Sequence, residues 1–452
     1  MAIHLSLDGI SRAYSFLQPY TRPTIHIAGT NGKGSVSAIT ASILYVAGLS
    51  VGRFNSPHLV SVHDSINLDG QPVDHQSYQS ARNEIETIVR ANDTQISSFE
   101  TLVLTALSIF ERAMVDVVVL EVGMGGRLDA TNVIPDHVVL VSALTAVDLD
   151  HQAFLGATVA AITREKAAIA RPGKPFVLGP QKHPEAEQVT RLISGNAGAV
   201  FFSASPAFAR KTETLCHATF QPPPPQSIEL DMSCFSSRVH ALLPLHGEHQ
   251  LDNVGLAAFI ISTAVSHPSC AEQGLRFRIT PEVVARGISS VSWPGRLSFH
   301  WVKNHKLLVL ADGAHNPASS ATLGHFLSDY CASSGILRFT LTYILSLSHS
   351  PPKTPLQTLS PILPPVFPPN VHADVRVAAL EFTPPDGMPW VKSVASSELC
   401  SVVRDLCPQA ELWNRSKSNL SEALKWAADC SEPHLVVVAG SLYLVADFYR
   451  IL

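Results

Sequence analysis

The stretch TIHIAGTNGKGSVSAITASILYVAG (residues 24–48) joins an apolar run, a glycine-rich turn and a helical pattern. Its first five residues are predicted to form a buried strand, and residues 35–48 the helix that follows. A turn between a strand and a helix directs backbone amides and the positive end of the helix at one point, which favours phosphate. The turn departs from the commonest phosphate-binding pattern, because only two residues separate its first Gly from the Gly-Lys pair and Gly34 stands between Lys33 and Ser35. An ordinary glycine turn is the alternative, but the flanking strand and helix favour phosphate, with Lys33 adding a charge and Ser35 a hydroxyl for magnesium.

The composition indicates a globular protein with more than one domain. The chain has 452 residues, of which 46% are hydrophobic and 15% charged. A chain of this length is too long to fold around a single hydrophobic core of ordinary size. Its 32 basic and 37 acidic side chains give a formal charge of -5 and form no basic stripe. Neither nucleic acid nor a polybasic attachment to a membrane is therefore expected.

Three features predict a soluble protein of a reducing compartment. The seven cysteines include no C-x-x-C pair, which favours free thiols over a metal site or disulfides. The start, MAIHLSLDGISRAY, has neither the basic region of a secretory signal nor the arginine-rich, acid-poor composition of a transit peptide. The longest uncharged apolar stretch, residues 254–265, is too short to span a bilayer. We expect a cytoplasmic protein, with a mitochondrial pool left open.

Short apolar runs alternate with helical patterns, which predicts the α/β class with parallel sheets covered by helices. Residues 115–122 and 137–144 are predicted strands buried on both faces. The pattern begins again after SWPGRL, with four more candidate strands at residues 306–312, 337–345, 375–380 and 434–440. This restart predicts two domains, a phosphate-binding parallel-sheet domain over residues 1–294 and a second α/β domain over residues 295–452.

Two proline-rich pieces interrupt this order. QPPPPQS (221–227) is predicted to be a surface loop. Residues 350–370 contain eight prolines in 21 positions and cannot form one continuous helix, because proline lacks the amide donor and clashes with the preceding turn. An exposed, partly extended connection is predicted there.

Polar residues follow the predicted strands at the edge where ligands of α/β sheets bind. Glu121 ends the run VVVLE, where a carboxylate is costly to bury unless it is paired, protonated or bound to metal. Asp150 and His151 follow the next strand, and such oxygen and nitrogen ligands suit a divalent cation, with Mg²⁺ bridging phosphates as the leading candidate. Taken alone, His151 is better explained as a helix cap, and Lys166 as a solvated lysine of an amphipathic helix.

Eight motifs, in order along the chain, resemble the folylpolyglutamate synthase and dihydrofolate synthase family, which is related to the Mur ligases. They are GTNGKGS (29–35), SPHLVSV (56–62), LEVGMGGRLDATNVI (120–134), LDHQAFLG (149–156), REKAAI (164–169), LPLHGEHQLDN (243–253), WPGRL (293–297) and DGAHNP (312–317). The shortened phosphate loop is that family's own form. The resemblance implies a P-loop, Mur-ligase-like N-terminal domain and a Rossmann-like C-terminal domain.

The resemblance also implies an ATP-dependent amide ligase. ATP phosphorylates the carboxylate of a pteroate to give an acyl phosphate and ADP, and the amine of L-glutamate then displaces phosphate. Phosphorylation is needed because a carboxylate is a poor electrophile with a poor leaving group. Metal ions and Lys33 would stabilise charge on the phosphoryl oxygens. The implied partners are small molecules, namely ATP, dihydropteroate and L-glutamate, and we expect a monomer.

The family's functional positions carry over by motif. The nucleotide-binding residues implied are Thr30, Asn31, Gly32, Lys33, Gly34, Ser35, Asn253, Arg296, Asp312 and His315. The magnesium ligands implied are Ser56, Glu121 and His151, and the catalytic residues are Lys33, Glu121, His151 and Lys166. Lys166 matches a position that the family often carbamylates with CO₂, which turns an ammonium into a carboxylate-like group. The pteroate-contacting positions implied are Ser98, Phe99, Leu128, Asp129 and Ala130, although a core aromatic explains Phe99 nearly as well.

Three stretches favour the branch of eukaryotic monofunctional dihydrofolate synthases, namely the D-S-I form at 64–66, DGMPWV (386–391) and AGSLYLVADFYRI (439–451). Asn55 in place of the usual Thr, Ala168 in place of a common Gly and the proline-rich segment depart from the family pattern. The alternatives are a folylpolyglutamate synthase that adds glutamate to tetrahydrofolate, a non-catalytic nucleotide- or folate-binding relative, and a Mur-type ligase acting on a cell-wall precursor. A relative without activity is disfavoured because all the implied catalytic residues are present.

Overall fold

The structure, a computed structural model, describes residues 6–210, 218–349, 351, 353–386, 391–413, 419–430 and 433–452. Its strands are β1 (Thr24–Ala28), β2 (Val51–Phe54), β3 (Ile66–Leu68), β4 (Gln71–Pro72), β5 (Val117–Glu121), β6 (Val139–Leu144), β7 (Pro175–Leu178), β8 (Val200–Ser203), β9 (Phe208–Ala209), β10 (Gln226–Leu230), β11 (Val239–Leu243), β12 (Ser298–Val302), β13 (Leu307–Ala311), β14 (Arg338–Leu345), β15 (His372–Ala379), β16 (Glu411–Trp413) and β17 (His434–Ala439). Its α-helices are α1 (Asp8–Tyr14), α2 (Lys33–Val46), α3 (His75–Ala91), α4 (Ser98–Arg112), α5 (Gln152–Leu155), α6 (Val159–Ala167), α7 (Pro184–Asn196), α8 (His249–Ser266), α9 (Pro281–Ser289), α10 (Pro317–Ser333), α11 (Pro355–Leu359), α12 (Ser396–Leu406), α13 (Leu420–Ala428) and α14 (Leu442–Ile451).

Strand β1 lies inside an eight-stranded sheet with the order β4-β3-β2-β5-β1-β6-β7-β8. All pairs from β2 to β8 are parallel, and β3 and β4 form an antiparallel edge. The predicted strands at 115–122 and 137–144 are β5 and β6, and every residue of both is buried. They are buried on both faces because α2, α8 and α9 pack on one side and α3 and α4 on the other. The carboxyl ends of β5, β1 and β6 therefore meet at one edge.

The second half of the chain forms a six-stranded sheet with the order β12-β13-β17-β14-β15-β16. It contains all four strands predicted after residue 297, and only β12 pairs antiparallel. A small antiparallel sheet, β11-β10-β9, completes the first half. The predicted α/β class with two parallel-rich units is confirmed. The division at residues 294 and 295 stays a prediction, which the two separate sheets support.

The proline-rich segments differ most from expectation. Within residues 350–370, whose positions 350 and 352 lie outside the described residues, α11 forms and Leu359, Ile362 and Leu363 are buried in the core of the six-stranded sheet. The prediction of an exposed connection is wrong there, because the leucines and isoleucine between the prolines complete that core. QPPPPQS is exposed or half-buried as predicted, but its last two residues already belong to β10.

The described helices include none that is both long and apolar enough to cross a membrane. The apolar stretch 254–265 lies within α8, which is buried against the sheet. Cys234, Cys270, Cys331, Cys400 and Cys407 are free thiols, as predicted, and Cys216 lies outside the described residues.

Candidate active site

The glycine-rich loop between β1 and α2 is fixed by the end of the neighbouring strand β6. The amides of Thr30 and Asn31 both donate to the carbonyl oxygen of Ala146, at 2.9 and 3.1 Å. Gly29 takes a φ of +146°, and a Cβ there would lie 1.8 Å from a threonine hydroxyl at the end of β6. Only glycine fits that position. Helix α2 begins at Lys33, two residues earlier than predicted, so its first turn belongs to the loop.

Two lysines and a glutamate from three elements meet at the start of this loop. Lys33 Nζ donates to the Gly29 carbonyl oxygen at 3.1 Å and lies 3.9 Å from Glu121 Oε1, at the end of β5. Lys166 Nζ, from α6, donates to the same carbonyl oxygen at 2.9 Å. The structure thus brings together three of the four residues that the resemblance assigned to catalysis.

Glu121 is a buried carboxylate with one hydrogen-bonded amide and several cationic side chains around it. Its Oε2 accepts a hydrogen bond of 2.6 Å from Asn55 Nδ2. Burial raises the pKa of Glu121, and the nearby Lys33 ammonium opposes that rise. Arg53, on the adjacent strand β2, also faces this carboxylate, and burial lowers the pKa of Arg53 to about 10. From the sequence, Asn55 was noted only as a departure from the family pattern, and Arg53 was not indicated as a site residue. Both lie at the end of β2, the strand next to β5.

Lys166 is buried rather than solvated. Only 3% of the residue is exposed, so its interpretation as a surface lysine of an amphipathic helix is wrong. Burial, with the repulsion of the Lys33 ammonium, lowers the pKa of Lys166 to about 7. A helical pattern cannot reveal this environment, because the glycine loop that covers Lys166 comes from a distant part of the chain.

His151 stands directly before α5 in a left-handed conformation (φ +52°). It occupies the capping position, but its side chain makes no capping hydrogen bond. Although the ring is nearly half exposed, the surrounding protein and the ammonium groups of Lys166 and Lys33 lower the pKa of His151 to about 4, against the opposing charge of Asp150. The imidazole is therefore neutral near pH 7 and has a nitrogen lone pair to offer.

Helix α8 supports the phosphate loop from the side. Gln250 Nε2 donates to Ser35 Oγ at 3.3 Å and Gln250 Oε1 accepts from Asn253 Nδ2 at 2.9 Å. Gly32, with a φ of +93°, approaches Asn253 so closely that a Cβ would lie 2.2 Å from its Oδ1. The sequence indicated Asn253 but missed Gln250, which lies within the motif LPLHGEHQLDN.

The linker between the two sheets also contacts the loop. The ring of Trp293 lies where a Cβ of Gly34 would be, with Cζ2 at 2.4 Å, and the Arg53 guanidinium lies 5.0 Å from its centre. Trp293 was missed as a site residue although it stands in the motif WPGRL. Its indole occupies the space that a side chain at Gly34 would need, so the linker packs directly against the first turn of α2.

Asp312 holds the far end of the linker. Its two carboxylate oxygens accept hydrogen bonds from the amides of Leu297 and Ala314, both at 2.8 Å. Burial raises the pKa of Asp312, and the Arg296 guanidinium opposes the rise. Arg296 also acts on Glu121, so its charge lies between the two sheets. His315 follows, and its Nδ1–H donates to the Gly313 carbonyl oxygen, 3.0 Å away, because a carbonyl oxygen can only accept.

The positions implied for pteroate surround the loop after β5. Phe99 packs against Gly123, where a Cβ would lie 2.3 Å from the ring. Asp129 is buried and its oxygens accept from the Met124 amide and from Thr131, so this carboxylate fixes the shape of its own loop. Of the remaining three positions, Ser98 is exposed, Leu128 is half-buried and Ala130 is buried.

The implied magnesium ligands come from the end of β5 and from two loops, one after β2 and one before α5. Ser56 follows Asn55, whose amide bonds Glu121, and Asn55 Oδ1 is buried without a hydrogen-bond partner in the described part of the chain. No three His, Cys, Asp or Glu side chains among the described residues form a metal-binding group. A hydroxyl, a carboxylate and a neutral imidazole fit Mg²⁺ that takes its remaining oxygen ligands from phosphates and water.

The phosphate loop lies at the end of a central parallel strand and has lysines and a carboxylate around it. A linker that contacts this loop joins it to a second α/β unit. Together these features define a two-domain, nucleotide-dependent enzyme. A family model described as "Dihydrofolate synthetase, C-terminal domain" matches residues 295–451. The chain is 30% identical to the dihydrofolate synthetase of Saccharomyces cerevisiae, over 100% of this chain and 98% of that protein. It is 28% identical to the probable dihydrofolate synthetase of Schizosaccharomyces pombe, over 98% of each.

Solved structures give the same result. A folylpolyglutamate synthase of Mycobacterium tuberculosis complexed with ADP and AMPPCP is 29% identical, with a TM-score of 0.78 over 99% of this chain and 95% of that one. A bifunctional folylpolyglutamate synthase/dihydrofolate synthase with Mn, AMPPNP and L-glutamate bound is 25% identical, with a TM-score of 0.73 over 100% and 95%. The chain therefore belongs to the folylpolyglutamate synthase and dihydrofolate synthase family of ATP-dependent ligases.

Proposed function

We propose that this protein joins L-glutamate to 7,8-dihydropteroate, consuming ATP and releasing dihydrofolate, ADP and phosphate. The observation that carries the proposal is that Lys33 and Lys166 both donate to the Gly29 carbonyl oxygen of the phosphate loop, while Lys33 also lies 3.9 Å from the Glu121 carboxylate. Two similar proteins named as dihydrofolate synthetases match along nearly the whole chain, which favours this substrate within the family.

Lys33 and the amides at the start of α2 would stabilise the phosphoryl group as it passes from ATP to the pteroate carboxylate. Lys33 Nζ lies at the start of α2, where its charge adds to the positive end of the helix. The amides of Thr30 and Asn31 donate to the Ala146 carbonyl oxygen, so they fix the backbone that precedes α2 and do not themselves bind phosphate. Lys33 and the first amides of α2 are thereby held in place before the substrate binds. Such preorganised groups stabilise developing charge most effectively.

Nucleotide binding is assigned to residues 30–35, Asn253, Arg296, Asp312 and His315. Solved relatives bind ADP, AMPPCP or AMPPNP, and this supports a nucleotide at the same loop here. Ser56, Glu121 and His151 would hold Mg²⁺, which supplies charge neutralisation between the phosphates. The neutral state of His151 and the burial of Glu121 next to the ammonium of Lys33 support that assignment.

Lys166 is proposed to be carbamylated. Carbamylation needs a neutral amine, and a pKa of about 7 leaves a large neutral fraction at physiological pH. The amine nitrogen would attack CO₂ and lose one proton, so that an ammonium becomes an anion beside Lys33. The product would relieve the repulsion between the two ammonium groups, which supports the modification on electrostatic grounds.

The pteroate is assigned to the surface formed by Ser98, Phe99 and the loop 128–130. Support comes from Phe99, which lies half-buried against Gly123 and leaves part of its ring accessible. Asp129 would act through the loop that it fixes. We further propose that the enzyme is cytoplasmic, which the free thiols of Cys234, Cys270, Cys331, Cys400 and Cys407 support. We also propose that it is a monomer, and sedimentation of the purified protein tests this.

The experiment is ADP release by the purified protein with Mg-ATP and L-glutamate, with 7,8-dihydropteroate compared against tetrahydrofolate. Turnover with dihydropteroate alone is expected. Turnover with tetrahydrofolate would move the protein to the folylpolyglutamate branch or make it bifunctional. Folded protein that binds ATP and releases ADP with neither substrate would refute the proposal and favour a non-catalytic relative, while turnover only with a cell-wall precursor would indicate a Mur-type ligase.

A further inference from the structure

A histidine lies in the centre of the first sheet, among apolar strands. His26 is the third of the five residues of β1 and is fully buried. It stands in register with Leu120 of β5 and Ser142 of β6. Its neighbours Ile25 and Ile27 belong to the core on the side of α2, so the imidazole points to the opposite face, which α3 and α4 cover. A buried polar ring is costly unless it forms hydrogen bonds, so the partner of His26 shows what this ring does.

The partner of His26 is the loop that follows β5. Its Nε2 lies 2.9 Å from Thr131 Oγ1, and this hydroxyl lies 2.5 Å from Asp129 Oδ1. The second carboxylate oxygen of Asp129 accepts a hydrogen bond of 2.8 Å from the amide of Met124. A continuous chain of hydrogen bonds therefore runs from the centre of β1 to both ends of the loop 124–131.

The direction of each hydrogen bond in this chain follows from the protonation of His26. Burial, with the nearby charge of Arg171, lowers the pKa of His26 well below its ordinary value, so the ring is neutral and carries one N–H. Its Nδ1 is buried without a hydrogen-bond partner in the described part of the chain, and buried N–H groups without an acceptor are rare. The proton therefore belongs on Nε2, which donates to Thr131. The threonine proton must then point to Asp129, which accepts it as a carboxylate.

The loop that this chain fixes is the one to which the pteroate is assigned. Asp129 lies in the middle of the loop 128–130, and Gly123, next to Met124, packs against the ring of Phe99. The imidazole supports this loop from the strand that leads into the phosphate loop. Without it, the Thr131 hydroxyl would lose its donor and a cavity would open beneath the loop.

We propose that His26 is a positioning residue for the pteroate, an inference that rests on the proposed function. Because it is fully buried, it acts through Thr131, whose hydroxyl it holds towards Asp129, and so keeps the loop 128–130 in the shape that binds the pteroate. His26 also lies only three positions before Gly29 of the phosphate loop. A merely structural support of β1 would therefore affect ATP at least as much as the pteroate, whereas positioning through Thr131 affects the pteroate alone.

The test compares His26→Leu, His26→Gln and His26→Asn with the wild type. The amide nitrogen of Gln can occupy the position of Nε2, whereas that of the shorter Asn can occupy only the position of Nδ1. His26→Leu and His26→Asn are expected to raise the KM for 7,8-dihydropteroate about 10-fold, as for a buried hydroxyl that has lost its partner. The kcat at saturating dihydropteroate and the calorimetric Kd for ATP should not change. His26→Gln should recover most of the loss.

Variants of Thr131 test the chain from its other end. Thr131→Val removes the hydroxyl at nearly the same volume and should raise the same KM about 10-fold or more, whereas Thr131→Ser keeps the hydroxyl and should stay near the wild type. The double variant with His26→Leu should have the KM of Thr131→Val alone, because both changes break one chain. Thr105→Val is the matched control, since Thr105 is equally buried and its hydroxyl binds its own helix α4. Its KM should be that of the wild type.

An equal loss of ATP affinity in His26→Leu would overturn the proposal. Equal effects of Gln and Asn at this position, or independent effects of His26→Leu and Thr131→Val, would overturn it as well. If His26→Leu does not fold by circular dichroism, the comparison of Thr131→Val with Thr131→Ser decides, and equal KM values refute the chain. A wild type that neither binds nor converts dihydropteroate refutes the proposed function and the role of His26 with it. An active wild type whose KM for dihydropteroate is unchanged in His26→Leu refutes the positioning role alone.

Discussion

Replacing Lys166 by Met is expected to stabilise the folded protein near neutral pH while it abolishes turnover. The residue is 3% exposed, and its pKa falls from 10.5 to about 7 on folding. A tenfold change in proton affinity corresponds to about 1.4 kcal/mol. Holding Lys166 inside the protein at pH 7 therefore costs roughly 4 kcal/mol. Met has a similar length, needs no hydration and sacrifices only the hydrogen bond to Gly29, worth about 1 kcal/mol.

The pH dependence is the sharper part of this prediction. Below about pH 7 both folded and unfolded chains bind the proton, and the whole cost is present. Between pH 7 and 10.5 the unfolded chain binds more protons, so the stability of the wild type rises with pH. The Met variant lacks this group. Its stability advantage should therefore fall by roughly 2 kcal/mol between pH 7 and pH 9.

Urea unfolding of both proteins at several pH values in CO₂-free buffer measures the difference in their free energies of unfolding. The same unfolding transition is compared in the two proteins. Lys182→Met, at an exposed lysine of the same half of the chain, is the control and should show no comparable dependence on pH. Adding bicarbonate should then change the free energy of unfolding of the wild type and leave that of Lys166→Met unaffected. A stability difference that is constant from pH 7 to pH 9 would refute the burial argument for Lys166.

Three further outcomes are expected. Glu121→Gln should lower turnover about 10²-fold or more with the fold intact by circular dichroism, since a charged group at the phosphate site is lost; full activity would contradict the magnesium assignment. Gly34→Ala should weaken ATP binding in a calorimetric titration because its Cβ would lie 2.4 Å from Trp293, whereas Gly195→Ala, a helical glycine with open space around it, should leave binding unchanged; equal effects of the two would exclude the steric cause. Phe220→Ala should cost about 3–5 kcal/mol in urea unfolding, because the residue is 2% exposed within the second core; a cost below 1 kcal/mol would show that this packing is not maintained in solution.

The central strands of the two large sheets, namely β5, β1 and β6 in the first and β13, β17, β14 and β15 in the second, were predictable because their sequence carries the signal itself. The run that became β5 is apolar at nearly every position, and so is the run that became β17. A parallel strand covered on both faces needs such continuity, and no tertiary information is required to recognise it. The same reasoning placed Glu121 at the carboxyl edge, since the last residue of a parallel strand reaches that edge wherever the strand stands in the sheet.

The environment of Lys166 was not predictable from local pattern. Helix α6 is covered by the loop after β5, where Gly126 comes so close that a Cβ would lie 2.7 Å from the carbonyl of Glu165. Neither the helical period nor the spacing of charges encodes that contact. The family resemblance indicated Lys166, whereas the burial that gives its amine unusual chemistry depends on residues some forty positions away.

The role of the linker was also not predictable from the sequence, because its contacts are with residues distant in the chain. Trp293 fills the space beside Gly34, and Leu297 donates its amide to Asp312, so the ends of the motif WPGRL are tied to opposite sheets. Trp293 and Leu297 thus attach the linker at one end to the phosphate loop and at the other end to the six-stranded sheet. Arg296 lies between these two anchors and acts on both Glu121 and Asp312. The linker is thus a wall of the candidate nucleotide site rather than a passive connection, because it places an indole beside Gly34 and a guanidinium near both Glu121 and Asp312.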